Sequence, residues 1–263
     1  MIVLPRLFAA VSLLVCLASP VTAKQDTLTI AYLSGPTGEV PDPRERYNGW
    51  LSNQAGVTET LMGLTTGMEL YPRLAETIER TNPTTWRVTL REGLTFHDGS
   101  PVTAQDVIDS FGPILDEKSP VHNPRNTNLL GIEDMETDGE RAVVFHTKAP
   151  NAAFPWILTE PGVVVLGEPS EEYPINATGP FVFREAIPEQ LYRVEANPGY
   201  RDGGPALAEV RVVKSADPAA AALAFEAGEV DLVINYPETD YERITAQGAQ
   251  GLTAPTVQLY WLS

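Results

Sequence analysis

The chain is short of cysteine, histidine and positive charge, and each shortage removes a class of explanation. Its 263 residues hold one cysteine, Cys16, and a single thiol makes no internal disulfide. The three histidines are His97, His122 and His146. None stands in the i, i+4 relation that puts two imidazoles on one helix face for a metal. No protein-only metal site and no cofactor is therefore expected. Lysine and arginine number 18 against 35 acidic residues, for a formal net charge of −17. A phosphate backbone is repelled by such a surface, so nucleic acid is not an expected partner. Beyond residue 23 there is no apolar run of the ~18 residues a membrane helix needs. Nucleophile elbow, zinc-protease motif and P-loop are all lacking, and Ser34, Ser52 and Ser110 lie in no context that marks a nucleophile. No motif here marks the chain as an enzyme.

The N-terminus is a different kind of sequence. Arg6 makes a short basic region, Leu7 to Leu17 an apolar one, and Val21-Thr22-Ala23 a small-residue cleavage site. This is the pattern of a secretory signal peptide over residues 1–23, cleaved after Ala23. Cys16 offers an alternative lipoprotein site, but Val15 stands where a small residue is wanted. The segment carries one basic residue and no acid, so its removal takes the net charge to −18 and leaves no cysteine.

The most informative stretch is Trp86 to Leu115. Trp86, Val88 and Leu90 alternate with Arg87, Thr89 and Arg91, the period of a half-buried strand. Asp98-Gly99 supplies a turn. Thr103 is positioned to cap a helix, with Asp106 three residues on completing a capping box. Val107, Ile108, Phe111 and Leu115 then share a helical face, and Pro113 is expected to bend or stop the helix.

Around it, residues 27–33 read as a first strand and 34–44 as loop. Tyr47 to Leu64 reads as a helix from the spacing of Leu51, Ala55, Thr58 and Leu61. Asp116 to Asn128 reads as a polar loop, and Ile132 to Thr147 as a hairpin turning at Asp138-Gly139. A short helix is expected over 153–158 and a strand over 210–213. Asp217 and Pro218 open a further helix that Gly228 closes. Strands are expected over 230–234 and 259–262.

The segment Phe96-His97-Asp98-Gly99-Ser100-Pro101, followed by Ala104-Gln105-Asp106-Val107, resembles the signature of the family-5 periplasmic solute-binding proteins of ABC importers. Glu59-Thr60-Leu61, Leu70-Tyr71-Pro72-Arg73-Leu74-Ala75, Thr178-Gly179-Pro180-Phe181 and Gly228-Glu229-Val230-Asp231 resemble further segments of that family. Asn197-Pro198-Gly199-Tyr200 does so too, although Arg201 stands where the family usually has Trp. The resemblance implies an α/β fold of the periplasmic-binding-protein type. Its lobe I, a mixed sheet, would be built from residues 24–47 and 172–263, with a small α/β domain inserted over 48–171. Family members are roughly twice as long, so the expectation is a chain truncated before the second lobe, which on its own binds solute weakly or not at all.

The function implied is a monomeric periplasmic receptor that captures a peptide or nickel-chelate-like solute and delivers it to an ABC permease in the inner membrane. The alternative is a half-receptor that acts as a docking or sensory protein, or has lost function. Tyr47, Trp50 and Asn53 at the start of the small domain, His122 and Arg125 in its loop, Gly162, and Tyr260 at the hinge are the candidate ligand contacts. Aromatic walls with a few polar groups suit a small-solute pocket, and a guanidinium fork suits a carboxylate. For Trp50, Trp156 and Trp261 a place in the core is the competing explanation, and for Arg125 a solvated charge.

Overall fold

A computed structural model describes residues 26–234 and 238–251. The expected signal peptide, the strand over 259–262, Tyr260 and Trp261 lie outside the described residues. The described residues are mixed α/β and hold two larger sheets, each with its own core, and a two-stranded ribbon.

The first sheet begins with β1 (Thr27–Tyr32). Helix α1 (Arg46–Gln54) follows, then the short pair β2 (Met62–Leu64) and β3 (Leu70–Pro72). Strands β4 (Ala75–Asn82) and β5 (Thr85–Leu90), helices α2 (Ala104–Leu115) and α3 (Pro124–Leu130), and strands β6 (Ile132–Thr137) and β7 (Ala142–Thr147) come next. These four strands make an antiparallel sheet in the order β4-β5-β7-β6. After α4 (Phe154–Ile157) the chain returns to the first sheet with β8 (Phe181–Ile187), β9 (Leu191–Ala196) and β10 (Glu209–Lys214). Helix α5 (Pro218–Glu226) then leads to β11 (Leu232–Val233), and a turn at Glu238–Asp240 leads to α6 (Tyr241–Ala246). The first sheet has the order β11-β1-β10-β9-β8. β1 runs parallel to both β10 and β11, while β9 is antiparallel to β10 and β8.

Local signals in the sequence account for several of these elements. In β5, Trp86, Val88 and Leu90 face inward as their alternation requires. The capping box of α2 is present: Thr103 Oγ1 accepts from the Asp106 amide, and Asp106 Oδ2 accepts from the Thr103 amide at 2.7 Å. Val107, Phe111 and Ile114 are buried, and Ile108 and Leu115 pack partly buried against the same core. The helix runs through Pro113 and ends two residues later at Leu115. Asp217 caps α5 by accepting from the Ala220 amide at 2.8 Å, with Pro218 in the first turn. Gly228, at φ +74°, lies just beyond it in the left-handed region that suits glycine.

Three expectations are corrected. The helix read over 47–64 covers only 46–54. Gly56 takes φ +74° and the chain leaves the helix there, because Val57 belongs to the core of the five-stranded sheet and Leu61 to that of the antiparallel sheet. The apolar spacing came from two cores rather than one helical face. The loop read over 116–128 contains the start of α3, where Asn123 accepts from the Asn126 amide at 3.2 Å and Pro124 occupies the first turn. The strand read over 230–234 pairs only at Leu232 and Val233.

Candidate functional site

Helix α1 presents two large aromatics to solvent. Tyr47 is 62 % exposed and Trp50 48 %. Asn53, on the same helix, turns back into the chain, where Nδ2 donates to the Thr58 carbonyl at 3.2 Å. It is thus committed to holding the helix end.

Alongside α1 lies the 159–162 loop. A Cβ on Gly49 would stand 2.8 Å from the Pro161 carbonyl oxygen and 2.9 Å from the Gly162 Cα. A Cβ on Gly162 would stand 2.9 Å from Asn126 Nδ2 at the start of α3. Gly49 therefore allows α1 and this loop to pack at backbone distance, and Gly162 leaves room for the Asn126 side-chain amide of α3. Arg125, with its side chain 66 % exposed, donates to Glu160 Oε1 at 2.6 Å and ties α3 to the loop. Trp156 on α4 is 46 % exposed.

His122 lies just before α3. Its Nδ1 is 3.0 Å from the Ile114 carbonyl oxygen. A carbonyl only accepts, so Nδ1 carries a proton, and in the neutral ring Nε2 is then the acceptor. His122 borders a cleft of about 560 Å³ together with Thr37, Arg44, Glu45, Val121 and Asn123. Glu45 is the cap residue of α1, so the cleft and the exposed aromatics share one helix. Arg44 is held by Asp42, which accepts from Nε at 3.0 Å and from a terminal nitrogen at 2.7 Å. Among the described residues no group of three or more His, Cys, Asp or Glu side chains is arranged to hold a metal.

The structure thus brings Tyr47, Trp50, His122, Arg125 and Gly162 into neighbouring elements. Asn53 is turned away from them, and Tyr260 lies outside the described residues.

After the turn out of α1 comes a buried acid to which the sequence assigned no contact. Glu59 has no exposed side-chain surface, yet it is charged. Its Oε1 accepts from Arg73 Nε at 3.0 Å, from the Tyr200 hydroxyl at 3.0 Å and from Arg201 at 2.7 Å. Its Oε2 accepts from Thr178 Oγ1 at 2.9 Å and from Arg201 at 2.6 Å. Burial opposes the charge, but the hydrogen bonds and positive charge of Arg201, and then of Arg73, outweigh it. The carboxyl is therefore held below the ordinary glutamate value. Burial and the neighbouring Glu59 push the Tyr200 phenol up to about 12. The Arg201 guanidinium lies 4.8 Å from the Tyr200 ring centroid. The sequence placed Glu59, Arg73, Thr178 and Tyr200 in separate family-like segments and Arg201 at the usual tryptophan position, but nothing in their spacing joined them.

A family profile described as "Bacterial extracellular solute-binding proteins, family 5 Middle" matches residues 69–263, more than half of the chain. The chain belongs to the family-5 bacterial extracellular solute-binding proteins. This family serves ABC transporters and consists of binding proteins, not enzymes.

Among its curated relatives is the oligopeptide-binding protein AppA of Bacillus subtilis, 29 % identical over 184 residues, a match covering 64 % of this chain and 33 % of AppA. The crystal structure of a nickel ABC transporter protein from Bacillus halodurans is 27 % identical. It superposes with a TM-score of 0.73 over 84 % of this chain and 45 % of that one. The agropinic-acid complex of AgaA from Agrobacterium tumefaciens R10 is also 27 % identical, with a TM-score of 0.72 over 84 % of this chain and 46 % of that one. The chain spans about a third of the length of AppA and under half of each solved relative.

Proposed function

We propose that this family-5 chain forms one wall of a solute site in a periplasmic receptor, and that the receptor hands its solute to an ABC permease in the inner membrane. The observation that carries the reading is the α1 face. Tyr47 and Trp50 stand exposed on a helix whose cap residue borders the cleft at His122. Exposed aromatics beside a concave surface with a few fixed polar groups are the composition of a small-solute site. A peptide or a nickel-chelate-like compound is the proposed cargo; of the relatives above, one is named for oligopeptides and one for nickel, and a third is in complex with agropinic acid. Tyr47 and Trp50 supply apolar contact, His122 Nε2 an acceptor, Arg125 a cation for a carboxylate, and Gly162 the close backbone approach. Tyr260 is proposed as a contact from the far end of the chain.

We propose further that the chain forms two domains, one of residues 24–47 and 172–263 and the other of residues 48–171. Family membership and the distribution of strands between the two larger sheets support that division, while Leu51, Ala55 and Val57 of the second range pack into the core of the five-stranded sheet. Capture followed by closure about a hinge requires higher affinity for the closed arrangement.

The test is a calorimetric titration of the chain with a mixed oligopeptide pool and with nickel(II)–histidine, repeated on Trp50→Ala and His122→Ala. Saturable heat that falls at least tenfold in affinity in either variant is expected. Saturable heat that neither variant changes, or none with either solute, overturns the assignment of this face.

A further inference from the structure

We propose that the junction between the two sheets is an acid-opened latch, with His97 as its proton sensor and Glu59 as the pivot that stays closed. The segment 175–179 runs along this junction and is held on one side by the 96–98 turn. The His97 amide donates to the Ala177 carbonyl at 2.8 Å. On the ring, Nε2 is 3.1 Å from the Gly179 carbonyl oxygen, and Nδ1 is 3.3 Å from the Ala177 amide nitrogen. The carbonyl requires a donor and the amide an acceptor, so only the neutral Nε2–H tautomer satisfies both. The Asp98 amide adds a contact to Asn176 Oδ1 at 3.3 Å.

A proton arriving at Nδ1 meets the Ala177 N–H head-on. The Ala177 N–H then loses its acceptor, and the Ile175 carbonyl is the backbone group that favours the charged ring in its place. Three further groups bear on the imidazole: the Glu59 carboxylate favours its charge, the Arg184 guanidinium opposes it, and Asp98 is next in the chain. The Asp98 carboxylate is turned to the Ser100 amide and hydroxyl at 2.9 and 2.6 Å. Glu59 already accepts five hydrogen bonds and has little capacity to rotate toward a new partner. Burial, the largest influence, holds the His97 ring below the ordinary histidine value against the pull of the Gly179 and Ile175 carbonyls and Glu59.

The sign follows from that direction. Above the ordinary histidine value both the closed and the released ring are neutral. As pH falls through it, the released ring takes a proton that the closed one refuses, so closure weakens as pH falls. Glu59 keeps its charge over this range, because its carboxyl is held below the ordinary carboxylate value. The 96–98 side of the segment therefore lets go while the Arg201–Glu59 side remains.

Release has a route to the α1 face. At the end of the segment and just beyond it, the Gly179 and Phe181 amides donate to the Val57 and Gly56 carbonyls, each at 3.0 Å. Those residues end the turn out of α1, the helix that carries Tyr47 and Trp50.

The test is a pH titration of the whole chain by NMR, from pH 8 to 5, with labelled histidine side chains and backbone amides. At neutral pH the His97 ring is expected as the Nε2–H tautomer. Its protonation midpoint is expected below that of free histidine, and the Ala177 and Gly179 amide signals are expected to move with the same midpoint. His97→Gln should abolish that amide step, while His122→Gln should leave it in place. Amides that move with a different midpoint from the His97 ring, or that keep their step in His97→Gln, overturn the proposal. If His97→Gln does not fold, the coincidence of ring and amide midpoints in the unaltered chain decides it.

Discussion

Glu59 and Arg201, 142 residues apart in the chain, meet as a two-pronged ion pair with N–O distances of 2.6 and 2.7 Å. The acid follows Val57 and Thr58 out of α1, and the arginine follows the β8–β9 hairpin, so the pair joins the regions of the two cores. Glu59 is fully buried and the Arg201 side chain is 21 % exposed. Removing one member of a buried pair leaves the other uncompensated, at a cost of about 3–5 kcal/mol. Glu59→Ala is therefore expected to lower the urea unfolding free energy by about that amount. Glu59→Ala combined with Arg201→Met should lose less than the two single changes added together. Additive losses in that cycle would show the pair to be uncoupled.

The same pair predicts a second pH effect, separate from the latch. Glu59 is held below the ordinary carboxylate value when folded. Its contribution is fully present above the unfolded glutamate value and is lost as pH falls through the folded one. Urea midpoints measured below about pH 4.3, the ordinary glutamate value, should fall more steeply in the unaltered chain than in Glu59→Gln. Parallel curves would refute the assignment.

Two glycines on helices separate close packing from helix propensity. A Cβ at Gly49 would lie 2.5 Å from the Pro43 carbonyl oxygen as well as against Pro161 and Gly162, all of them backbone atoms. Gly49→Ala is expected to cost about 1–3 kcal/mol, the range for overpacking. Gly112 in α2 has nothing within 4 Å of its Cβ position. Gly112→Ala should instead stabilise by about 0.5–1 kcal/mol. Thermal melts of the two variants moving in opposite directions would bear this out.

The α2 capping box predicts a third stability change. Asp106 Oδ2 accepts from the Thr103 amide and hydroxyl, each at 2.7 Å, while Thr103 Oγ1 faces the Asp106 amide at 3.4 Å. Thr103→Ala removes the cap and should cost about 1 kcal/mol. Thr103→Ser keeps the hydroxyl and should recover most of it. Equal losses in the two variants would assign the effect to the lost methyl group.

Much of the fold was legible where a signal is local. The alternation of β5, the capping box of α2, the Asp138-Gly139 hairpin and the Asp217-Pro218 helix start each depend on a few adjacent residues. The extent of α1 was not legible, because Val57 and Leu61 serve different cores and their spacing imitates one helical face. For the candidate site residues, neither the exposure of Tyr47 and Trp50 nor the internal use of Asn53 by the Thr58 carbonyl was legible, because both depend on packing. The cleft at His122 brings together residues 37–45 and 120–124, which no spacing rule connects.

The sequence by itself determined the family signature from Phe96 to Val107, the local starts and stops of the elements around it, and the strongly acidic balance. These depend on backbone preferences and hydrogen bonds that span a few residues, or on composition alone. Only the tertiary structure decided that Glu59 meets Arg201, that His97 faces the Ala177 amide, and that Gly49 and Gly162 stand at backbone contact. The physical reason is that hydrogen-bond partners and close approaches across tens of residues depend on how whole sheets and helices pack. Sequence distance carries no record of that packing.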